Sequence, residues 1–371
     1  MYYLDNAATT PMHPQVLEEM INFMKSQFGN PSSKYYQQAT VANEKLKESR
    51  RKVADLLGVE DEFILFTSGA TESNNFVLKG AFEKYKNKGN HIITTKIEHK
   101  SILSTCAHLE KLGAKITYLD VNEEGHISLE ELVESINEDT ILVSVMWGNN
   151  EVGTLNDIGK IGEICREKEV LFHTDATQVI GKVAFNLSEL NVDFLSMSAH
   201  KIFGPKGIGA VYVGPDDLGL RRKLPPLIDG GDQEYKMRAG THAMHNIVGF
   251  AKACELTKEY LRVNIKGYNA AEKFFKQELL KIRPDISFNG DQINKIPGLI
   301  SINIPGINNE LFCKEVSENV ALSTGSACSI GEKSYVLEAL KVNNPMNTIR
   351  VSLPNNVDEI IKSINVLADY L

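Results

Sequence analysis

The sequence predicts an α/β protein: a large domain with a mixed, mostly parallel sheet between helices, plus a smaller α+β domain. Three observations carry this expectation. Short β-like runs alternate with amphipathic stretches between positions 63 and 213. The texture changes after about Tyr260, where a long polar helical pattern gives way to a few strands. Polar, glycine-containing motifs recur where the predicted strands end, the place at which open α/β sheets bind ligands.

Phe63–Phe66, His91–Thr95, Ile116–Leu119, Ile141–Val145, Val170–Phe172, Phe194–Met197 and Ala210–Val213 are short and rich in β-branched or aromatic residues. Between most of them lie helical patterns. Asn43–Leu57 spaces Leu46, Val53, Leu56 and Leu57 among charged residues, and Ser101–Leu112, Ser128–Ile136 and Ile158–Lys168 behave alike. Ser128-Leu129-Glu130-Glu131 has the form of a capping box. Strands alternating with helices imply parallel pairing, with both faces of the sheet covered. The runs at Phe194 and Ala210 are joined too tightly for a crossover helix, so one antiparallel pair is expected there. Ile286–Phe288, Leu299–Ile304 and Thr348–Val351 supply the smaller domain. The expected division is residues 13–258 for the large domain and 259–371, with the N-terminal 1–12, for the small one.

Composition bounds the function. A chain of 371 residues with 42% hydrophobic content has material for a sizeable core. A net charge of -8 argues against a surface dedicated to nucleic acid. No apolar run is long enough to cross a bilayer, and Met1–Thr10 does not read as a signal peptide, so a cytoplasmic location is expected. Five cysteines with no C-x-x-C spacing suggest neither disulfides nor a metal site. Cys106, Cys165, Cys254 and Cys313 fall in helical patterns and read as small buried hydrophobes. Cys328 sits among small residues in Ser323-Thr324-Gly325-Ser326-Ala327-Cys328-Ser329, which predicts an accessible loop thiol, the form a nucleophile requires.

Four further motifs carry chemistry. Ser68-Gly69-Ala70-Thr71-Glu72-Ser73 links a strand to a helix expected to begin near Asn74, and suits a phosphate cradle. Ser198-Ala199-His200-Lys201, followed by Gly204-Pro205-Lys206-Gly207-Ile208-Gly209, suits a lysine that forms a Schiff base with an aldehyde cofactor. Such a lysine must lose its proton, so its site must push the pKa down from ~10.4. Asp175, at a strand end upstream of that lysine, could pair with a protonated pyridine nitrogen. His99, at another strand end, could stack on a ring or move protons. Taken singly, each motif equally suits a capped helix start, a surface lysine, a turn or an incidental loop cysteine.

Their order and context are more specific. The sequence resembles the cysteine desulfurase family, within the class V aminotransferase group of fold-type I pyridoxal-phosphate enzymes. The resemblance runs from Tyr3-Leu4-Asp5-Asn6-Ala7-Ala8-Thr9-Thr10 to Arg350. It includes Phe28-Gly29-Asn30-Pro31-Ser32-Ser33, Asn149-Asn150-Glu151-Val152-Gly153, Asp175-Ala176-Thr177-Gln178 and the Gly325-Ser326-Ala327-Cys328 loop. It implies pyridoxal 5'-phosphate as cofactor, held covalently by Lys201. Asp175 would face the pyridine nitrogen and Gln178 the phenolic oxygen. Ala70, Thr71, Ser198 and His200 would hold the phosphate, and Thr241 would complete the phosphate site of a neighbouring subunit in a homodimer. His99 would stack on the ring and shuttle protons, and Asn150 and Arg350 would hold the substrate carboxylate. The activity implied converts L-cysteine to L-alanine, passing sulfur through a Cys328 persulfide to an acceptor protein. The alternative is a selenocysteine lyase or another class V enzyme.

Some features differ from housekeeping members of that family. The chain after Cys328 reaches Ser334-Tyr335-Val336-Leu337 sooner, and the sequence stops at Leu371 without the tail that docks an iron–sulfur scaffold. Ser352-Leu353-Pro354-Asn355 follows Arg350 in place of Gly-Arg, and Trp147-Gly148 stands where a histidine is common. The resemblance therefore leaves the sulfur's destination open among iron–sulfur assembly, tRNA thiolation, a vitamin or cofactor pathway, and DNA phosphorothioation.

Overall fold

The computed structural model describes residues 1–325 and 333–371. Its twelve described strands are β1 (Tyr2–Tyr3), β2 (Ile64–Thr67), β3 (His91–Thr95), β4 (Lys115–Leu119), β5 (Thr140–Ser144), β6 (Leu171–Asp175), β7 (Phe194–Ser198), β8 (Gly209–Val213), β9 (Ser287–Asn289), β10 (Leu299–Asn303), β11 (Val320–Ala321) and β12 (Thr348–Ser352). The described helices are α1 (Pro14–Ser26), α2 (Gln37–Leu57), α3 (Ala70–Tyr85), α4 (Lys100–Lys111), α5 (Leu129–Ser135), α6 (Ile158–Glu167), α7 (Met244–Ile282), α8 (Asn309–Val316), α9 (Tyr335–Ala339) and α10 (Val357–Ala368).

Seven strands form the main sheet in the order β2-β8-β7-β6-β5-β3-β4. The pairs among β3 to β7 are parallel, whereas β8 runs antiparallel to both β7 and β2. The expected antiparallel pair is present, and the same reversed strand also joins β2 to the sheet. The carboxyl ends of β2, β3, β5, β6 and β7 consequently lie along one edge.

Period-two alternation divides each strand between two cores, as a sheet covered on both faces requires. Ile64, Phe66, Ile93, Val143, Phe172, Leu195 and Ala210 face a core shared with α1, α2, α6 and the first half of α7. Leu65, Ile92, Leu142, Phe194 and Val211 face a second core closed by α3 and α4. Ser128 caps α5 by accepting from Glu131 N–H at 3.1 Å.

A third core surrounds the sheet β12-β10-β9 and includes Leu4. Helix α7 serves two cores. Met244, Ile247, Val248, Phe250 and Cys254 pack into the first, while Ala271, Phe275 and Leu279 pack into the third. The expected boundary at position 258 thus falls inside one 39-residue helix. Nothing breaks the helix there, because buried residues continue along it from Met244 to Thr257 and resume at Tyr268. The N-terminal segment crosses back to the small sheets: β1 pairs with β11, and Asp5 bridges Ser352.

Candidate active site

Helix α3 begins at Ala70, four residues before the expected start. Gly69 precedes it at φ +153°, a backbone position L side chains rarely adopt, and no side chain caps the helix. The first-turn N–H groups and the positive end of the dipole are therefore left for an anion. Thr71 is exposed and Ala70 half-buried. A methyl on Gly209 would lie 2.7 Å from Gly69 Cα and 2.5 Å from Met197 O, so only glycine lets β8 approach this loop. Ser198, at the end of β7, borders the loop, since its Oγ lies 3.7 Å from where a Gly69 methyl would sit.

Lys201 lies on a 3₁₀ turn directly after β7. Its Nζ donates to the carbonyls of Ala7 (2.5 Å) and Ala8 (2.8 Å). Burial, then the cations of Arg350 and Lys182, lower its pKa to about 7, with Asp5 and Asp175 opposing. His200 is also pushed down, to about 4, by burial and by Lys201 and Lys206. Its Nδ1 lies 3.1 Å from Thr9 Oγ1, and Thr10 N–H donates to its carbonyl at 2.9 Å. The N-terminal residues Ala7 to Thr10 thus form a wall around Lys201.

Asp175 ends β6 and is 6% exposed. Its Oδ2 accepts from Asn74 Nδ2 at 2.7 Å, and its Oδ1 from Thr177 N–H at 3.0 Å. Asn74 also donates to Ser101 Oγ at 2.8 Å, and Ser101 Oγ lies 2.8 Å from His99 Nδ1. A continuous hydrogen-bonded path therefore joins Asp175 to His99. Ser101 N–H also donates to His99 Nδ1, at 3.1 Å. With Nδ1 committed as an acceptor, neutral His99 carries its proton on Nε2. Burial lowers the His99 pKa, Asp175 offsets this in part, and Lys201 and Lys100 add to the lowering. Lys201, Asp175 and His99 act electrostatically on one another, as expected of groups sharing one cleft.

Gln178 Nε2 donates to Ala7 O at 2.9 Å, while its Oε1 is buried with no hydrogen-bond partner among the described residues. Arg350, 2% exposed, donates from Nη2 to Asp5 Oδ1 (2.8 Å) and from Nη1 to the Asn150 carbonyl (3.0 Å), and its Nε has no hydrogen-bond partner among the described residues. Thr241 is exposed and follows Gly240, whose φ is +106°. Cys328 lies outside the described residues. The other four cysteines are unpaired, and burial raises their thiols well above the usual range, to about 12 for Cys106 and Cys313. They are inert by that measure.

Sequence reasoning missed several residues that the structure places here: Asn74, Ser101, Glu98, Glu151, Asp5 and Lys182. Glu98 is fully buried, and burial raises its carboxyl to about 8, with Asp175 pushing the same way.

These donors fit pyridoxal phosphate. A neutral-leaning buried amine suits its aldehyde, and a buried carboxylate suits its ring nitrogen. A free helix N-terminus beside Ser198 suits its phosphate, and the buried Gln178 amide oxygen has no hydrogen-bond partner among the described residues.

Comparison with known proteins agrees. The profile of the aminotransferase class-V family matches residues 2–360. A cysteine desulfurase IscS of Pseudoalteromonas translucida is 42% identical over 95% of this chain and 87% of its own length. The mitochondrial cysteine desulfurase of Candida maltosa is 40% identical over 100% of this chain and 78% of its own. Among solved structures, a NifS-like protein superposes with a TM-score of 0.91 at 37% identity, covering 100% of both chains. A structure described as SspA in complex with cysteine gives 0.83 at 36% identity over 96% of this chain and 99% of its own. The chain belongs to the aminotransferase class-V family of pyridoxal-phosphate enzymes, in its cysteine desulfurase branch.

Proposed function

We propose that this protein removes sulfur from L-cysteine, releasing L-alanine and holding the sulfur as a persulfide on Cys328. The observation that carries the reading is the joint placement of Lys201, Asp175 and His99 at or beyond the ends of β7, β6 and β3 along one edge of the sheet, in a chain whose sequence surrounds Cys328 with small residues. The relatives' names and the cysteine-bound neighbour support the substrate.

Bound at this site, pyridoxal phosphate supplies an electron sink for the amino-acid substrate. Lys201, whose amine burial pushes toward its neutral form, would hold the aldehyde and, when free, would serve as a base and proton carrier through Nζ. Asp175 would hold the ring nitrogen in its protonated form, and Asn74 and Thr177 fix its carboxylate. His99 offers Nε2 for proton transfer, because Ser101 occupies Nδ1. Asn150 and Arg350 hold the substrate carboxylate, which must share or displace the Asp5 carboxylate now on the guanidinium. The Cys328 thiolate attacks the substrate sulfur. The S–S bond forms, the Cβ–S bond breaks, and its electron pair passes to carbon, which takes up a proton to complete L-alanine. The sum is cysteine plus a thiol giving alanine plus a persulfide.

The reading extends to a homodimer in which Thr241 reaches the partner's phosphate site, and to an acceptor protein that takes the sulfur. That acceptor would serve iron–sulfur assembly, tRNA thiolation or DNA phosphorothioation. It also extends to the cytoplasm, where thiols stay reduced. Among the described residues no helix is long and apolar enough to cross a membrane. Stoichiometric release of alanine and sulfide from L-cysteine with a thiol reductant tests the chemistry. A yellow protein that releases no alanine contradicts it.

A further inference from the structure

The Asn149-Asn150-Glu151 turn contains a carboxylate that the chemistry above does not use. Glu151 is 2% exposed, and its N–H donates to Asn149 Oδ1 at 2.8 Å. Its Oε2 accepts from Ser334 Oγ at 2.5 Å. The same oxygen faces Gly325, on which a methyl group would lie 2.8 Å away. Gly325 also has φ +136°, a backbone position that favours glycine. Gly325 and Ser334 flank the short stretch of chain that includes Cys328, and one carboxylate touches both.

The surrounding bonds tie these two points to the site. Ser334 Oγ caps α9 by accepting from Leu337 N–H at 3.1 Å. Tyr335, the next residue, donates its hydroxyl to the Glu98 carbonyl at 2.7 Å, one residue before His99. On the other side, Ser323 exchanges backbone hydrogen bonds with Arg350 (2.6 and 3.3 Å), and its Oγ donates to Gly325 O at 3.1 Å. Glu151 itself follows Asn150, whose carbonyl accepts from Arg350. Burying a carboxylate is costly unless it is well partnered, and Glu151 Oε1 has no hydrogen-bond partner among the described residues. A buried acid kept at such a cost, at the junction of the substrate-carboxylate group and both flanks of the nucleophile, has a positional use.

We propose that Glu151 is a positioning residue for sulfur transfer: by holding Gly325 and Ser334 against one carboxylate, it fixes where the chain enters and leaves the segment bearing Cys328. This rests on the desulfurase reading. Displacing a reacting group by about 1 Å costs on the order of 10²-fold in rate, so loss of the contact should slow sulfur transfer while leaving substrate binding in place.

The test compares wild-type holoenzyme with Glu151→Ala, Ser334→Ala and Glu151→Gln. Persulfide on Cys328 is followed in a single turnover by alkylation and mass spectrometry. KM, the visible spectral change on adding L-cysteine, and the thermal midpoint are recorded alongside. Glu151→Ala and Ser334→Ala are expected to slow persulfide formation by about 10- to 100-fold, with KM and the spectral change close to wild type. Glu151→Gln should recover most of the rate, because its amide oxygen still accepts from Ser334. Glu151→Ala leaves the α9 cap intact, so agreement between the two alanine variants isolates the contact. Wild-type persulfide rates in both alanine variants would overturn the proposal, as would a loss that tracks cofactor or the thermal midpoint. A wild-type enzyme that makes no alanine from L-cysteine removes the desulfurase reading and this proposal together. An active wild type with indifferent variants removes this proposal alone.

Discussion

At Lys201 the sequence supplies an amine and the fold supplies its protonation state. A lysine buried among Arg350 and Lys182 titrates at about 7, so the amine is substantially neutral at physiological pH. Uptake of pyridoxal phosphate by the apoenzyme should therefore follow a midpoint near 7 instead of the ~10.4 of free lysine, read as uptake rate against pH. Lys201→Ala should abolish the yellow band. His99 is held below its ordinary pKa by burial, so its imidazole stays neutral to lower pH than a free one would. His99→Ala should lower kcat by about 10²- to 10⁴-fold and remove the acid limb of the kcat pH profile. Lys201, Asp175 and His99 were legible in the sequence because each ends a recognisable β run. Asn74 and Ser101 were not, because they act through a path closed only when α3 and α4 lie side by side. Asn74→Ala should therefore weaken His99's proton transfer while leaving the cofactor band in place, measured as kcat against spectrum.

Among the elements, the segment between β8 and α7 carries Thr241 and is held in an unusual conformation. Glu234, Tyr235 and Lys236 all have positive φ, at 43°, 59° and 69°, a left-handed turn that costs roughly 1–2 kcal/mol per residue. A buried ion pair holds it. Arg50 donates twice to Glu234, at 2.6 Å each, and Phe66 N–H and His242 add 2.7 Å contacts. Burial opposes the Glu234 charge, but Arg50 outweighs it and holds the carboxyl down at about 2. The folded-state pKa is depressed, so this stabilisation is present above the unfolded value of about 4.3 and is lost as pH falls toward 2. Glu234→Gln should cost about 3–5 kcal/mol by leaving Arg50 buried and unpaired, read from denaturant unfolding at pH 7. Periodicity located β2 to β8 to within a residue, except that β6 runs three residues past Phe172 to Asp175, since both faces of the sheet are buried in alternation. It did not locate the start of α3 or the full length of α7. The α3 boundary is set by Gly69 and not by a side-chain cap, and α7 changes its partners midway without changing its own pattern.

For the whole molecule, one antiparallel strand, β8, joins β2 to an otherwise parallel sheet and brings the Gly69 loop to the edge where Asp175 and Lys201 emerge. The N-terminal segment crosses from the small sheets to wall in Lys201 through Ala7 and Ala8. Strand-end placement was legible from the alternation of elements, but this crossing was not, because no periodic signal marks so short a strand as β1. The homodimer reading predicts a solution mass twice that of the chain, with Thr241→Ala weakening cofactor retention in both subunits. Light scattering and cofactor dissociation measure the two. The most direct test of the central claim is the turnover of L-cysteine by the holoenzyme beside its Cys328→Ala variant. The account predicts equal amounts of alanine and sulfide from the wild type, and a variant that stays yellow yet makes neither. A variant that desulfurates cysteine at the wild-type rate would contradict it.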